Sequence, residues 1–240
     1  MNKALHTLTV LSVAFGGYVL ARGVAHGIAA AQPSAHEIVA GQFRTEPLRS
    51  MSAGMFTWFP AETMAMREAM VRVVTSGGMS VQSLREAVLP ITAPVHGLVA
   101  QVPDAGLVAL LDGQIALHAQ LTPEPLVCAQ LVVQGASEAT LTHPQMAGFD
   151  LEGHYADYFG ILNSARHAPP GAPATDADHA ALGAAMAGFP ADMLTAIEAN
   201  DPADPRLCGA VIAMLTLVRD ADFPGAERVR REMLLALASG

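Results

Sequence analysis

Apolar positions along the chain recur mostly at three- and four-residue intervals, the spacing of a helix face. Met66, Met70 and Val73 or Val74 fall on one such face. Leu107, Leu111, Ile115 and His118 fall on a second, and Tyr155, Phe159 and Leu162 on a third. Leu207, Val211, Met214 or Leu215, and Val218 form another stripe, as do Val229, Met233 and Leu237.

Start and stop signals frame these runs. Pro60 and Glu62 suit a first turn, and Gly77 with Gly78 suits a stop. Ser80 suits an N-cap, with Ser83 at the third position; Pro90 and Pro94 predict a break or kink downstream. Asp104 opens the next helix, and Pro123 and Pro125 close it. The run LVCAQLVVQG that follows is compatible with a strand or a buried helix; its helical surroundings favour helix.

Residues 32–50 read as a loose or partly helical lead-in, and 136–153 as turn-rich. The stretch HAPPGAPAT, 167–175, reads as a linker, because it clusters proline and lacks large apolar residues. Helical patterns resume after it. The pattern predicts an all-α protein of about seven to nine helices. It is expected as a helical bundle or stacked helical hairpins in two unequal parts: a main region over 32–166 and a C-terminal region over 176–240.

Composition supports helices. Apolar residues make up 52% of the chain but aromatics only 5%, so the core must be built from small and flexible side chains. The net charge is −9. Lys3 and Arg22 are the only charged residues in the first 31. Without that segment 22 acidic residues face 11 basic ones, 13 less those two. A body this acidic is repelled by phosphate backbones and anionic lipid, which disfavours nucleic-acid binding.

The first residues give a location. Lys3 precedes an uncharged, mostly apolar run over 7–21, and Ala29 and Ala31 fit a small-x-small cleavage pattern. This reads as a secretory signal peptide over 1–31. The rival is an uncleaved membrane anchor from about Thr7 to Ala30, with Arg22 reaching the interface and Gly23-x-x-x-Gly27 allowing close helix approach. Both readings predict a periplasmic body, free or tethered to the inner membrane, with membrane contact confined to residues 1–31.

The two cysteines occupy matching settings, EPLVC at 124–128 and DPRLC at 204–208. In an oxidising compartment they are expected to pair, Cys128 with Cys208. Closing a loop of that length contributes about 4 kcal/mol in the chain-entropy model. VPDAGLVALL at 102–111 and FPADMLTAIE at 189–198 precede the two elements. An internal duplication and two independently similar proline-led helix starts both account for that likeness.

Three stretches carry candidate chemistry. Met51, Met55, Met64, Met66 and Met70 are soft ligands suited to Cu(I), with Met79 and His96 downstream; the same spacing serves core packing. In FDLEGHYADY, Asp150, Glu152 and Asp157 lie near His154, a candidate acid/base or divalent-metal cluster; acids at a solvated helix start give the same pattern. In MFTWFP, Phe56, Trp58 and Phe59 offer an aromatic patch for a partner, or an anchor for the lead-in. His118 reads as an interior histidine, and Asp176, Asp178 and His179 as a helix N-terminus. The sequence contains no P-loop, GxSxG, HExxH or dinucleotide fingerprint. The expectation is a non-catalytic exported helical protein, without cofactor, that serves as an interaction or accessory component of a bacterial envelope assembly. Its partner would be an envelope or inner-membrane protein. A periplasmic copper-binding protein using the methionines is the alternative, and a hydrolase-type His/carboxylate enzyme the third reading.

Overall fold

The computed structural model describes residues 33–77 and 80–239. The expected signal peptide or anchor, and Met79, lie outside the described residues. Those described form twelve α-helices and three short 3-10 segments, with no strand. The helices are α1 (Ala35–Gln42), α2 (Leu48–Trp58), α3 (Pro60–Thr75), α4 (Val81–Gly97), α5 (Asp104–Gln120) and α6 (Pro125–Gln134). They continue with α7 (Glu138–Leu141), α8 (Leu151–Ser164), α9 (Asp176–Ala185), α10 (Ala191–Ala199), α11 (Leu207–Arg219) and α12 (Ala226–Ser239). The run around Cys128 is helix α6, which settles its ambiguity.

The count exceeds the expected one because segments read as loose contain short capped helices. Ser34 and Glu37 close a reciprocal capping box at the start of α1. Ser137 and Thr140 do the same for α7, inside the turn-rich stretch. The predicted break at Pro90 and Pro94 does not occur: α4 runs through both. The two prolines are four residues apart and both exposed, so the carbonyls they leave without an amide partner lie on the solvent face.

One contiguous apolar core links α1 to α12, from Val39 through Leu84, Leu111, Phe159 and Val211 to Leu234. The stripes read from the sequence face it: Leu107 and Leu111, Tyr155 and Phe159, Val211 and Val218 are all buried. Helices α2 and α8 pack along each other. They approach closely at Gly54, where an added Cβ would lie 2.7 Å from the Ala156 nitrogen. Only glycine lets the two backbones come that near.

Cys128 on α6 and Cys208 on α11 are disulfide-bonded, with Sγ–Sγ 2.01 Å and Cα–Cα 5.5 Å. Polar contacts add further ties between distant segments. The Arg230 guanidinium is buried, donates to the Val218 and Arg219 carbonyls at the end of α11, and reaches Asp104 Oδ1 at 2.7 Å. It caps one helix C-terminus while pairing with an acid at the start of α5. The Arg228 guanidinium holds the buried Asp178 carboxylate through two hydrogen bonds of 2.8 and 2.7 Å. Asp178 also completes a capping box with Thr175, as its placement at a helix start predicts. The proline-rich 167–175 segment has no regular secondary structure; the Gly171 amide donates to the Ala100 carbonyl at 2.8 Å, and its Cα lies against the Arg231 guanidinium. No described helix is long and apolar enough to cross a membrane.

Candidate functional site

The seam between α5 and α8 is built from small residues. Ala109, Gly113 and Ala116 on α5 meet Gly153, Ala156 and Gly160 on α8, and missing side-chain volume leaves an open surface groove of about 790 Å³. Asp112, Asp150 and Asp157 stand around it, and among the described residues no lysine or arginine lines it. Arg219 holds Asp112 at 2.9 Å from outside.

Trp58 closes one end of the groove. Its indole N–H donates to the Ala156 carbonyl at 2.9 Å. Its ring lies over Gly160, where an added Cβ would come within 3.2 Å of the indole. The absent side chain at Gly160 is therefore the seat of the tryptophan. Trp58 remains 40% exposed and Phe56 52%. Such surface is costly to leave in water unless something covers it.

Phe59 does not belong to this patch. It is fully buried, packs edge-on against Phe159 at 6.1 Å between centroids, and lies under the Arg166 guanidinium at 5.0 Å. Helix α2 ends at Trp58, and the changed backbone direction at Phe59 turns its side chain inward. The expected aromatic trio is thus an exposed pair and a core residue.

The His154 cluster is also rearranged. Asp150 is the N-cap of α8 and accepts the Gly153 amide at 2.9 Å; Glu152 lies exposed in the first turn. Both acids complement the positive end of the helix. The His154 ring turns instead toward Gly113 of α5 and stacks near Phe149 and Tyr155. Among the described residues it has no ion pair or hydrogen bond with a carboxylate, so no positioned acid/base pair is formed. Burial holds its pKa down to about 4, the nearby Asp157 charge opposing and His118 reinforcing the shift.

The methionines are divided. Met55, Met66 and Met70 are core residues and Met51 is buried, whereas Met64 is 47% exposed. Met51 alone of the five lines the cavity described next. The four buried ones fill space in an aromatic-poor core.

Next to the groove, and sharing part of its lining, lies a partly open cavity of about 100 Å³. His154 and Tyr158 form part of both linings, so they are the wall between groove and cavity. His96, from α4, and His118, from α5, also face the cavity. His96 Nδ1 shares a 2.8 Å hydrogen bond with Tyr158 Oη. His118 Nδ1 lies 2.7 Å from the Gln114 carbonyl. Burial lowers His96 to about 4 and also lowers His118, the carbonyl contact opposing it there. All three imidazoles are therefore neutral at neutral pH.

Sequence reasoning placed His118 on an apolar face but had no signal for its meeting with His96 and His154, which come from other helices. No group of three or more His, Cys, Asp or Glu side chains among the described residues is arranged to hold a metal ion. Comparison of the chain with protein-family models, with curated proteins and with solved structures gives no match.

Proposed function

We infer that this chain is a non-catalytic, exported binding component of a bacterial envelope assembly, and that the α5–α8 groove is where it holds its partner. The observation that carries the reading is the exposed Trp58, seated on Gly160 at the end of a groove floored by Ala109, Gly113 and Ala116. A tryptophan fixed on one side and open on the other is the type of residue that dominates binding interfaces. The Cys128–Cys208 bond supports export, because such bonds persist in oxidising compartments. The leader-like pattern of residues 1–31 points the same way.

Charge complementarity selects the occupant. Among the described residues three aspartates, of which Asp112 is held by Arg219, and no lysine or arginine line the groove of a strongly acidic protein, so the fitting partner is a basic segment of an envelope protein, presenting Lys or Arg beside a small apolar face. The small floor accepts a helix or an extended strand at close backbone distance.

The test is a photo-reactive side chain at Ala116, used in intact cells with the crosslinked species identified by mass. The expected product is one discrete envelope protein whose captured segment is basic, lost in Trp58→Ala and in Asp157→Lys with the helical circular dichroism unchanged. Crosslinking that is absent, or equal in both folded variants, refutes the groove as the partner site.

A further inference from the structure

We propose that the cavity is a second binding site, for a small uncharged molecule with an apolar body of about five heavy atoms and one N–H or O–H donor directed at His118 Nε2. The geometry assigns the acceptor. Gln114 O, 2.7 Å from His118 Nδ1, can only accept, so Nδ1 carries the proton and Nε2 presents a bare lone pair. No described residue donates to that atom, although His118 is only 9% exposed and lines the cavity. An imidazole this buried, whose free lone pair meets only the cavity, gains from a donor supplied there.

Size and wall set the rest of the ligand. Leu117, Leu131, Val132, Phe159 and Leu234 supply an apolar surround. The volume of about 100 Å³ is near two-thirds of a cavity of about 150 Å³ that accepts benzene, so a five-membered ring fits better than a six-membered one. An ion would be stripped of water against neutral imidazoles with no counter-charge, which disfavours charged ligands. His154 and Tyr158 border both the cavity and the groove.

Pyrrole and furan are matched probes: similar ring size, both uncharged, one with an N–H donor and one without. The full chain with its disulfide intact is titrated with each at neutral pH and followed by NMR. The expected result is saturable pyrrole binding at least about tenfold tighter than furan, corresponding to about 1.4 kcal/mol. Contacts from pyrrole to the Leu131 and Val132 methyls are expected, with a shift of the His118 Nε2 resonance that furan does not produce. In His118→Leu the preference disappears. The Nε2 resonance carries the test if that variant does not fold. Equal affinity for both rings, an unmoved Nε2 resonance, or a cavity that exchanges water only would overturn the proposal.

Discussion

Acid should loosen this protein well before its carboxylates titrate, and the histidines around the cavity set the size of the effect. His96 and His154 are held near 4 in the folded state, mainly by burial, against about 6.5 in an unfolded chain. The folded value is the lower one. Between the two values the unfolded chain binds more protons, so stability is complete above about pH 6.5 and falls as pH falls toward 4. From about pH 7 to about pH 5, a single imidazole with these two values loses about 1.8 kcal/mol of stabilisation. His154 also opens to the groove, where water reaches it, and contributes less than His96. His118 is shifted in the same direction and adds to the loss. A combined loss of about 3 kcal/mol is a large share of the 5–15 kcal/mol typical of a domain. Asp178 is held far below the ordinary carboxylate range, first by its hydrogen bond from Arg228, so its own contribution is lost only in stronger acid and does not overlap this window. The assay is urea unfolding at a series of pH values, followed by far-ultraviolet circular dichroism. The midpoint should fall steadily through the window, and His96→Gln should flatten the slope by roughly half. A midpoint that is level or rises between about pH 6.5 and about pH 4.5 would refute the assignment of these imidazoles as buried and neutral.

Four further outcomes follow from named contacts. Replacing both Cys128 and Cys208 by Ala should cost about 4 kcal/mol, read as an earlier urea midpoint; reducing agent on the native protein should reproduce it. Gly54→Ala places a methyl against the α8 backbone and should destabilise by about 1–3 kcal/mol, measured by thermal unfolding. Arg230→Met removes the buried guanidinium shared by the α11 carbonyls and Asp104 and should cost about 3 kcal/mol, with a loss of cooperativity that an exposed Arg72→Met control does not show. Gly160→Leu displaces the indole from its seat; since Trp58 is the only tryptophan, its fluorescence should shift to the red while helix content stays constant.

The sequence made the buried faces readable because a helix imposes its period on whatever it packs against. Leu107 and Leu111, or Tyr155 and Phe159, needed no tertiary information. Local chemistry that overrides period was partly readable too. The Ser34-x-x-Glu37 box lies openly in the lead-in and marks the start of α1. That α4 continues through its prolines was not legible for a physical reason: their cost depends on whether the freed carbonyls meet water, and that depends on which face of the helix is buried. Phe59 misled in a similar way, since one residue past a helix end reverses the direction of a side chain. Cys128 and Cys208 were paired correctly because, with two cysteines, the only choice was whether they bond.

The groove and the cavity were not legible, and the cause is common to both. Each is defined by volume missing between helices distant in sequence: Gly113 against His154, Gly160 under Trp58, and three imidazoles from α4, α5 and α8 around one space. A glycine within a helix carries no local sign of what uses its vacancy. Here the vacancies on α8 do different work on different faces. The α2 side accepts Gly54 at backbone distance, the outer side seats the indole, and the side toward α5 opens the groove, with His154 and Tyr158 as its inner wall. A change in how either ring stands would alter both spaces, since each ring borders both. A partner segment pressing on the groove floor therefore acts on the same two side chains that border the cavity. If both sites are occupied in the cell, competition or cooperation between them must pass through His154 and Tyr158, and Tyr158→Phe, which removes only the hydroxyl bonded to His96, separates a hydrogen-bond path from a packing path.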